Sequence, residues 1–398
     1  MSSKELFERV SLGLERDEYA KLYDEIKQHG IERALLKYSN EPVFKEAAQQ
    51  CFARIKYAKK FEFLLKSYPG WLLPAGLPLQ QASHHHTAAF KAKLSEAYKT
   101  AIDLTGGLGM DTIALARAAS KTIYLERNKS IFDYNDFNFS KYLPHVERYN
   151  LDAFDWLKNL LPSNEKTLIY ADPARRTASG KKTFHPADYE PNPSALRKSL
   201  ENLEVDFLLK VSPVADLDFL SRYIGAPAKV YLLAVEDELK EVLLLYASHA
   251  SPPLLEIWKC DDTSHLLFFS DKLTHHNKVL TTAKPEDLIY IPHAALVKSG
   301  GDKALAADFK LKTFHPEARI YTSSQLTKVP GWRVYRTLRF SKSLSELQVS
   351  EAMVITGKFP DRPESIRKKH KIEESNTHAL IATKTEKNEN LWILAEKL

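Results

Sequence analysis

The chain has 398 residues and a net formal charge of +6, with 44% hydrophobic and 27% charged residues. This is an ordinary globular composition, neither disordered nor fibrous, and the length predicts two or three domains rather than one core. No apolar run reaches membrane-spanning length. The two cysteines, Cys51 and Cys260, stand in unrelated contexts and make neither a disulfide framework nor a metal knuckle. The first twenty residues are charged and amphipathic with no signal-peptide core, so a cytoplasmic protein is expected.

Residues 1–70 are expected to form an N-terminal helical domain. Apolar positions such as Phe44, Ala47, Ala48 and Cys51 recur at three- and four-residue spacing. A connector is expected over 71–97, because prolines 69, 74 and 78 and nearby glycines cannot continue a helix. It contains SHHHTA, residues 83–88. Three consecutive histidines on regular backbone cannot all face one ion, so a solvated loop or a substrate-side contact is expected there, and no metal.

From 98 to 250 short β-rich runs alternate with helical segments: TAIDL, KTIYLE, VERYN, TLIYAD, VDFLLKV, AKVYLLAV and EVLLLYA. The alternation predicts a doubly covered, mostly parallel α/β sheet of seven strands. The five residues EDELK before the last run are too short for a helical crossover, so the sheet is expected to end in an antiparallel hairpin.

In such sheets ligands bind beyond the carboxyl ends of the strands. The first strand runs into DLTGGLGMD, where Gly106, Gly107 and Gly109 form a turn and Asp111 or Thr112 caps the next helix. Thr112 stands where a dinucleotide fingerprint has its third glycine, and no Walker lysine follows, so a phosphate cradle is disfavoured. Asp103 is placed to meet a ligand ammonium group. Glu126, 17 residues beyond Gly109, is placed to meet a ribose diol. Asp152, beside Ala153 and Phe154 after the third strand, lies where an adenine would.

A nucleoside with an amino-acid tail and no phosphate is S-adenosylmethionine. On these residues, over about 80–250, the chain resembles the class I S-adenosylmethionine-dependent methyltransferases. The resemblance implies a Rossmann-like sheet with donor contacts at Asp103, Thr105, Gly106, Gly107, Gly109, Asp111, Thr112, Glu126, Asp152 and Ala153. It puts the catalytic motif at YADPAR, with Asp172 orienting the nucleophile or taking its proton and Pro173 beside it. Ala174 and Arg175 stand where amino-methyltransferases of nucleic acids carry a proline and an aromatic ring. Arg175 and Arg176 instead suggest an anionic substrate group, or an ion pair with Glu126 or Asp172. The polar loop that follows offers Lys181 and Lys182 to phosphate and Phe184, His185 and Tyr189 for stacking, and Lys210 ends the fifth strand facing the same cleft.

The remaining sequence reads as α+β. The order of helical region, LPLQQASHHHTAAFKA, DPARR core and tail is similar to a bacterial family of methyltransferases, most members of which carry Ser-Glu-Ala-Thr-Ala near Ser83–Ala88. That similarity implies a ferredoxin-like piece over 251–326, a THUMP-like domain over 327–398 and an RNA substrate presented by the latter. The cluster IRKKHK at 366–371 and Lys328, Arg333, Arg336, Arg339 and Lys342 are suited to a phosphate backbone, with Trp332 and Tyr335 as stacking candidates. The expected function is RNA methylation, the alternatives being methylation of a small molecule or protein, or RNA binding without catalysis.

Overall fold

The computed structural model describes residues 1–74, 76, 79–80, 82–162, 164–175, 185–247, 254–271 and 280–398. They fall into two compact units: 1–230 with 240–250 and 260–264, and 231–239 with 251–259 and 265–398.

The first unit opens with five helices: α1 (Ser3–Glu15), α2 (Ala20–His29), α3 (Ile31–Lys37), α4 (Pro42–Lys56) and α5 (Ala58–Ser67). The Ser2 hydroxyl and Glu5 carboxylate close a capping box on α1, and Pro42 starts α4 where a missing N–H costs nothing. These helices were expected as a separate domain, but they belong to the same compact unit as the sheet that follows. The physical reason is a shared core: Ala53, Phe61 and Leu64 pack with Trp71, Leu73, Tyr124 and Phe139. The connector is gripped from both sides. The Gln50 side chain accepts from the Leu73 amide at 2.8 Å and donates to its carbonyl at 2.9 Å. Asn138 does the same at Leu72, at 2.9 and 2.8 Å.

After α6 (His85–Ser95) comes the alternating region: β1 (Thr100–Asp103), α7 (Met110–Leu115), β2 (Lys121–Leu125), α8 (Lys129–Tyr142), β3 (Val146–Tyr149), α9 (Ala153–Leu157), β4 (Thr167–Ala171), α10 (Pro193–Leu200), β5 (Val205–Val211) and α11 (Leu217–Ile224). The strand order β3-β2-β1-β4-β5 is parallel throughout, and β7 (Glu238–Tyr246) runs antiparallel to β5. The register places Asp103 beside Tyr124 on one side and Tyr170 on the other, so the carboxyl ends of these strands finish level.

Strand β6 (Lys229–Val235) precedes β7 through Glu236 and Asp237 alone, because β7 starts at Glu238, earlier than its apolar run. In the second unit, β8 (Leu255–Lys259) and β9 (His265–Ser270) pair in turn beyond β6. The expected closure at seven strands is therefore incorrect, and these two strands, within the expected ferredoxin-like piece over 251–326, lie in this sheet and not in the C-terminal one. An apolar run encodes a strand without encoding its neighbour.

That C-terminal sheet has the order β11-β12-β10-β13-β16-β15-β14. Its strands are β10 (Leu288–Pro292), β11 (Lys312–Thr313), β12 (Tyr321–Ser323), β13 (Trp332–Ser341), β14 (Met353–Gly357), β15 (His378–Lys384) and β16 (Asn390–Lys397). Two helices precede β11, α12 (Ala294–Ser299) and α13 (Gly301–Asp308), separated where Gly300 takes φ +73°. A last helix, α14 (Pro363–His370), docks through buried Ile366. Tyr335 lies in the core and Trp332 packs on Tyr321 at 4.9 Å, so neither is a stacking platform. Among the described residues no helix is long and apolar enough to cross a membrane.

Candidate active site

The turn after β1 is built by steric exclusion and pinned by hydrogen bonds. A Cβ on Gly106 would meet Tyr124 Cε2 at 2.1 Å. The Tyr124 hydroxyl donates to the Gly107 carbonyl at 2.9 Å, and Asn135 Nδ2 donates to the same oxygen at 2.6 Å. Gly109, at φ +81°, is the N-cap residue of α7. The expectation that Asp111 or Thr112 caps this helix is thus incorrect: both lie inside it, and left-handed backbone leads into it.

Four sequence-predicted residues gather around this turn. Asp103 is 1% exposed, and its carboxylate accepts from Thr105 N at 3.1 Å and Thr112 Oγ1 at 2.7 Å. Burial pushes its carboxyl up to about 7, and among the described residues no cation forms an ion pair with it. Glu126 accepts from the Gly107 amide at 3.0 Å and the Asn128 amide at 2.7 Å, and burial raises its pKa. The backbone amide of Asp172 donates to Thr105 Oγ1 at 2.6 Å, tying the end of β4 to the same turn. Asp152 stands one strand further along as the N-cap of α9, accepting from Phe154 N at 2.8 Å, with Ala153 buried behind it.

Pro173 stops the β4 ladder, and Ala174 pairs with Glu190 in an isolated antiparallel bridge. The Asp172 side chain keeps 36% of its surface exposed and accepts from Lys210 Nζ at 2.7 Å. Burial raises the Asp172 pKa, opposed by the Lys210 ammonium. Arg175 donates to Ser212 Oγ at 2.7 Å, so the ion pair expected with Glu126 or Asp172 is not what holds it. Arg176, Lys181, Lys182 and Phe184 lie outside the described residues.

Two expected roles are corrected. Asp111 does not offer its carboxylate to a donor: Lys91 Nζ holds it at 2.8 Å, and Ser83 Oγ and Tyr170 Oη each donate to it at 2.7 Å. Lys210 is not an open substrate contact, since it spans Asp172, Ser83 at 2.8 Å and Glu241 at 3.6 Å. These side chains belong to an ion cluster in which Lys91, with no exposed side-chain surface, also meets Glu241 Oε2 at 2.5 Å. Burial opposes charge on both acids, yet Lys91 and Lys210 win: Asp111 is held down to about 2 and Glu241 is lowered. For Lys210 burial is likewise overcome, by Asp172, Glu241 and Asp111, and its pKa rises.

Lys91 and Glu241 were not singled out from sequence, and Ser83, Thr87 and Tyr170 entered only as members of the motifs SHHHTA and YADPAR, without a role in such a cluster. The available signal was a charge set in an apolar run, as in AAFKA and KEVLLLY.

The residues of SHHHTA straddle a helix start. His84 is the extended N-cap of α6, while His85 and His86 are its first helical residues. This junction is not regular backbone, so the premise that three adjacent histidines must diverge fails. Their ligating nitrogens lie within 4.8 Å of one another.

Comparison with known proteins bears on the whole chain. A family model described as a ferredoxin-like domain matches residues 289–330, and one described as THUMP domain-like matches 330–397. No curated protein sequence matches. Among solved structures, a Porphyromonas gingivalis W83 protein provisionally named a methyltransferase is 24% identical, with TM-score 0.77 over 96% of this chain and 98% of that one. A SAM-dependent methyltransferase from Neisseria gonorrhoeae aligns at 16% identity and TM-score 0.32, over 44% of this chain and 71% of its own. One from Agrobacterium tumefaciens aligns at 14% and 0.32, over 42% and 63%. The chain therefore has a methyltransferase-like α/β fold followed by a ferredoxin-like and a THUMP-like domain.

Proposed function

We propose that the chain is an S-adenosylmethionine-dependent methyltransferase acting on RNA. The observation that carries the catalytic part is the convergence of Asp103, Thr105, Glu126 and Asp172 on one glycine turn, linked by hydrogen bonds at strand ends that finish level. The residues fit the donor. Asp103 is a buried carboxyl with no cation paired to it among the described residues, suited to an ammonium group; Glu126 has lone pairs to spare for a diol. When bound, S-adenosylmethionine supplies an electrophilic methyl group on a sulfonium. Asp172 orients the nucleophile and accepts its proton, its basicity raised by burial while Lys210 fixes its position.

Asp103 provides the first test. Its folded pKa near 7 exceeds the ordinary value of about 3.9. The ligand-free fold therefore binds an extra proton between these values and loses stability as pH rises through them. A bound ammonium group favours the ionised form. Binding of S-adenosylhomocysteine at about pH 6 is expected to release nearly one proton, and affinity to fall about tenfold per pH unit below 7. Calorimetry in two buffers of different ionisation enthalpy checks this; a titration with no proton release removes the Asp103 pairing.

The RNA part rests on the tail. Lys368, Lys369 and Lys371 are exposed on and just after α14. Lys342, Lys369 and His370 line a hollow of about 630 Å³ together with Phe359 and Trp392. Cations beside aromatic rings suit a single-stranded backbone with unstacked bases. Binding of a tRNA pool is expected to weaken steeply with salt, and Lys368→Ala with Lys369→Ala to flatten the log–log slope by about 0.7–1 per lysine. Salt-independent methyl acceptance would favour a small-molecule or protein substrate instead.

A further inference from the structure

We infer that His84, His85 and His86, joined by Asp262, form a binding site for one divalent cation of the zinc class. The ring nitrogens of the three histidines are within 4.8 Å of one another. A tetrahedral site with metal–nitrogen bonds of about 2.0–2.1 Å needs nitrogens roughly 3.4 Å apart, so the rings must draw together by side-chain rotation when the ion binds.

An independent observation points the same way. His85 Nδ1 is buried and, among the described residues, has no hydrogen-bond partner, an unfavourable state that a metal ion would relieve by taking the lone pair. His84 Nδ1 accepts from the His86 amide at 3.3 Å, so its lone pair is engaged there, and a metal ion would take it either by displacing that hydrogen bond at Nδ1 or at Nε2 after the ring proton moves to Nδ1. The Phe63 ring stacks on His85 at 5.7 Å and holds its plane. Asp262 Oδ1 is 3.9 Å from His86 Nδ1, and its side chain is 99% exposed, so it can swing in as a fourth ligand or leave that position to water. Three imidazoles with one carboxylate select zinc, nickel, copper or cobalt over magnesium and calcium.

The site would act on its surroundings. Ser83 and Thr87 flank the histidines, Ser83 donating to Asp111 and Thr87 Oγ1 donating to Glu241 at 2.7 Å. A cation gripping 84–86 and the 260–264 segment would thus steady the ion cluster that holds Lys210 against Asp172.

The test is calorimetric titration of the metal-stripped full chain with Zn²⁺ and, separately, with Mg²⁺. One equivalent of Zn²⁺ and no Mg²⁺ is expected to bind. His85→Gln is expected to weaken Zn²⁺ by ~100-fold or more and Asp262→Ala by ~10-fold. The same chain in urea is expected to bind at least ~100-fold more weakly than the folded one, since a histidine tract alone lacks the built geometry. Co²⁺ in the unaltered chain should give the intense visible bands of a tetrahedral ion, a reading that does not depend on any variant folding. No Zn²⁺ binding, equal affinity in urea, or unchanged affinity in His85→Gln would each overturn the site, as would an octahedral Co²⁺ spectrum.

Discussion

Asp172→Ala is expected to lower methyl transfer by about 10²–10⁴-fold, the range for losing a positioned general base, while S-adenosylhomocysteine binding stays within about threefold. The split follows from the geometry. The link between Asp172 and the glycine turn is made by its backbone amide, which donates to Thr105 Oγ1 and survives the substitution. What the substitution removes is the partly exposed carboxylate that Lys210 holds in place. Lys210 does not become a stranded charge, because Glu241 and Asp111 remain within 3.6 and 4.0 Å of it. The measurement is single-turnover transfer of labelled methyl groups to total RNA alongside calorimetric binding. Full activity in the variant would remove Asp172 from the chemistry; loss of binding together with activity would make it part of the donor pocket.

Glu241→Ala is expected to cost about 1.5–3 kcal/mol of unfolding free energy, the range for losing a buried charge-assisted hydrogen bond, since Lys91 keeps Asp111 at 2.8 Å and Lys210 keeps Asp172 at 2.7 Å. A typical domain has only about 5–15 kcal/mol in all, so the urea midpoint should drop sharply. Glu241 is the shared partner of two lysines, and Lys91 has no exposed side-chain surface on which to rehydrate. Asp155→Ala, which breaks an exposed pair with Lys158, should leave the midpoint where it is. The pH dependence has a definite sign. Glu241 and Asp111 have folded-state pKa values below the ordinary carboxylate range, Asp111 at about 2. Their contribution is present above about pH 4 and lost as pH falls towards 2. The deficit of the variant should therefore shrink through that window. A constant deficit would mean that the loss comes from packing and not from charge.

The parts of this site that were legible in sequence share one property: they are local. An apolar run that ends in an acid, followed by glycines, identifies a strand end and its turn without knowledge of anything distant. Asp103, Glu126 and Asp172 were found in this way. Lys91 and Glu241 were not, because a lysine in a helix or an acid in a strand usually reads as a solvated face. Only the tertiary fold brings residues 150 positions apart into contact. Asp111 illustrates the competition directly. Its position suits a helix cap, yet a buried ammonium holds its carboxylate more firmly than a backbone amide would. Strands β8 and β9 fall in the stretch expected to begin the ferredoxin-like piece, yet they extend the first sheet, since periodicity fixes which face is buried and not which edge is paired.

The grip of Gln50 and Asn138 on the connector has a consequence for synthesis of the chain. Leu72 is clasped by a side chain 66 residues later, and Trp71 packs edge-on against Phe139. The leading helices leave the ribosome well before α8, so part of their apolar surface stays uncovered until about 140 residues have emerged. Nascent-chain proteolysis should then show residues 1–70 gaining protection in step with α8, as one late cooperative event.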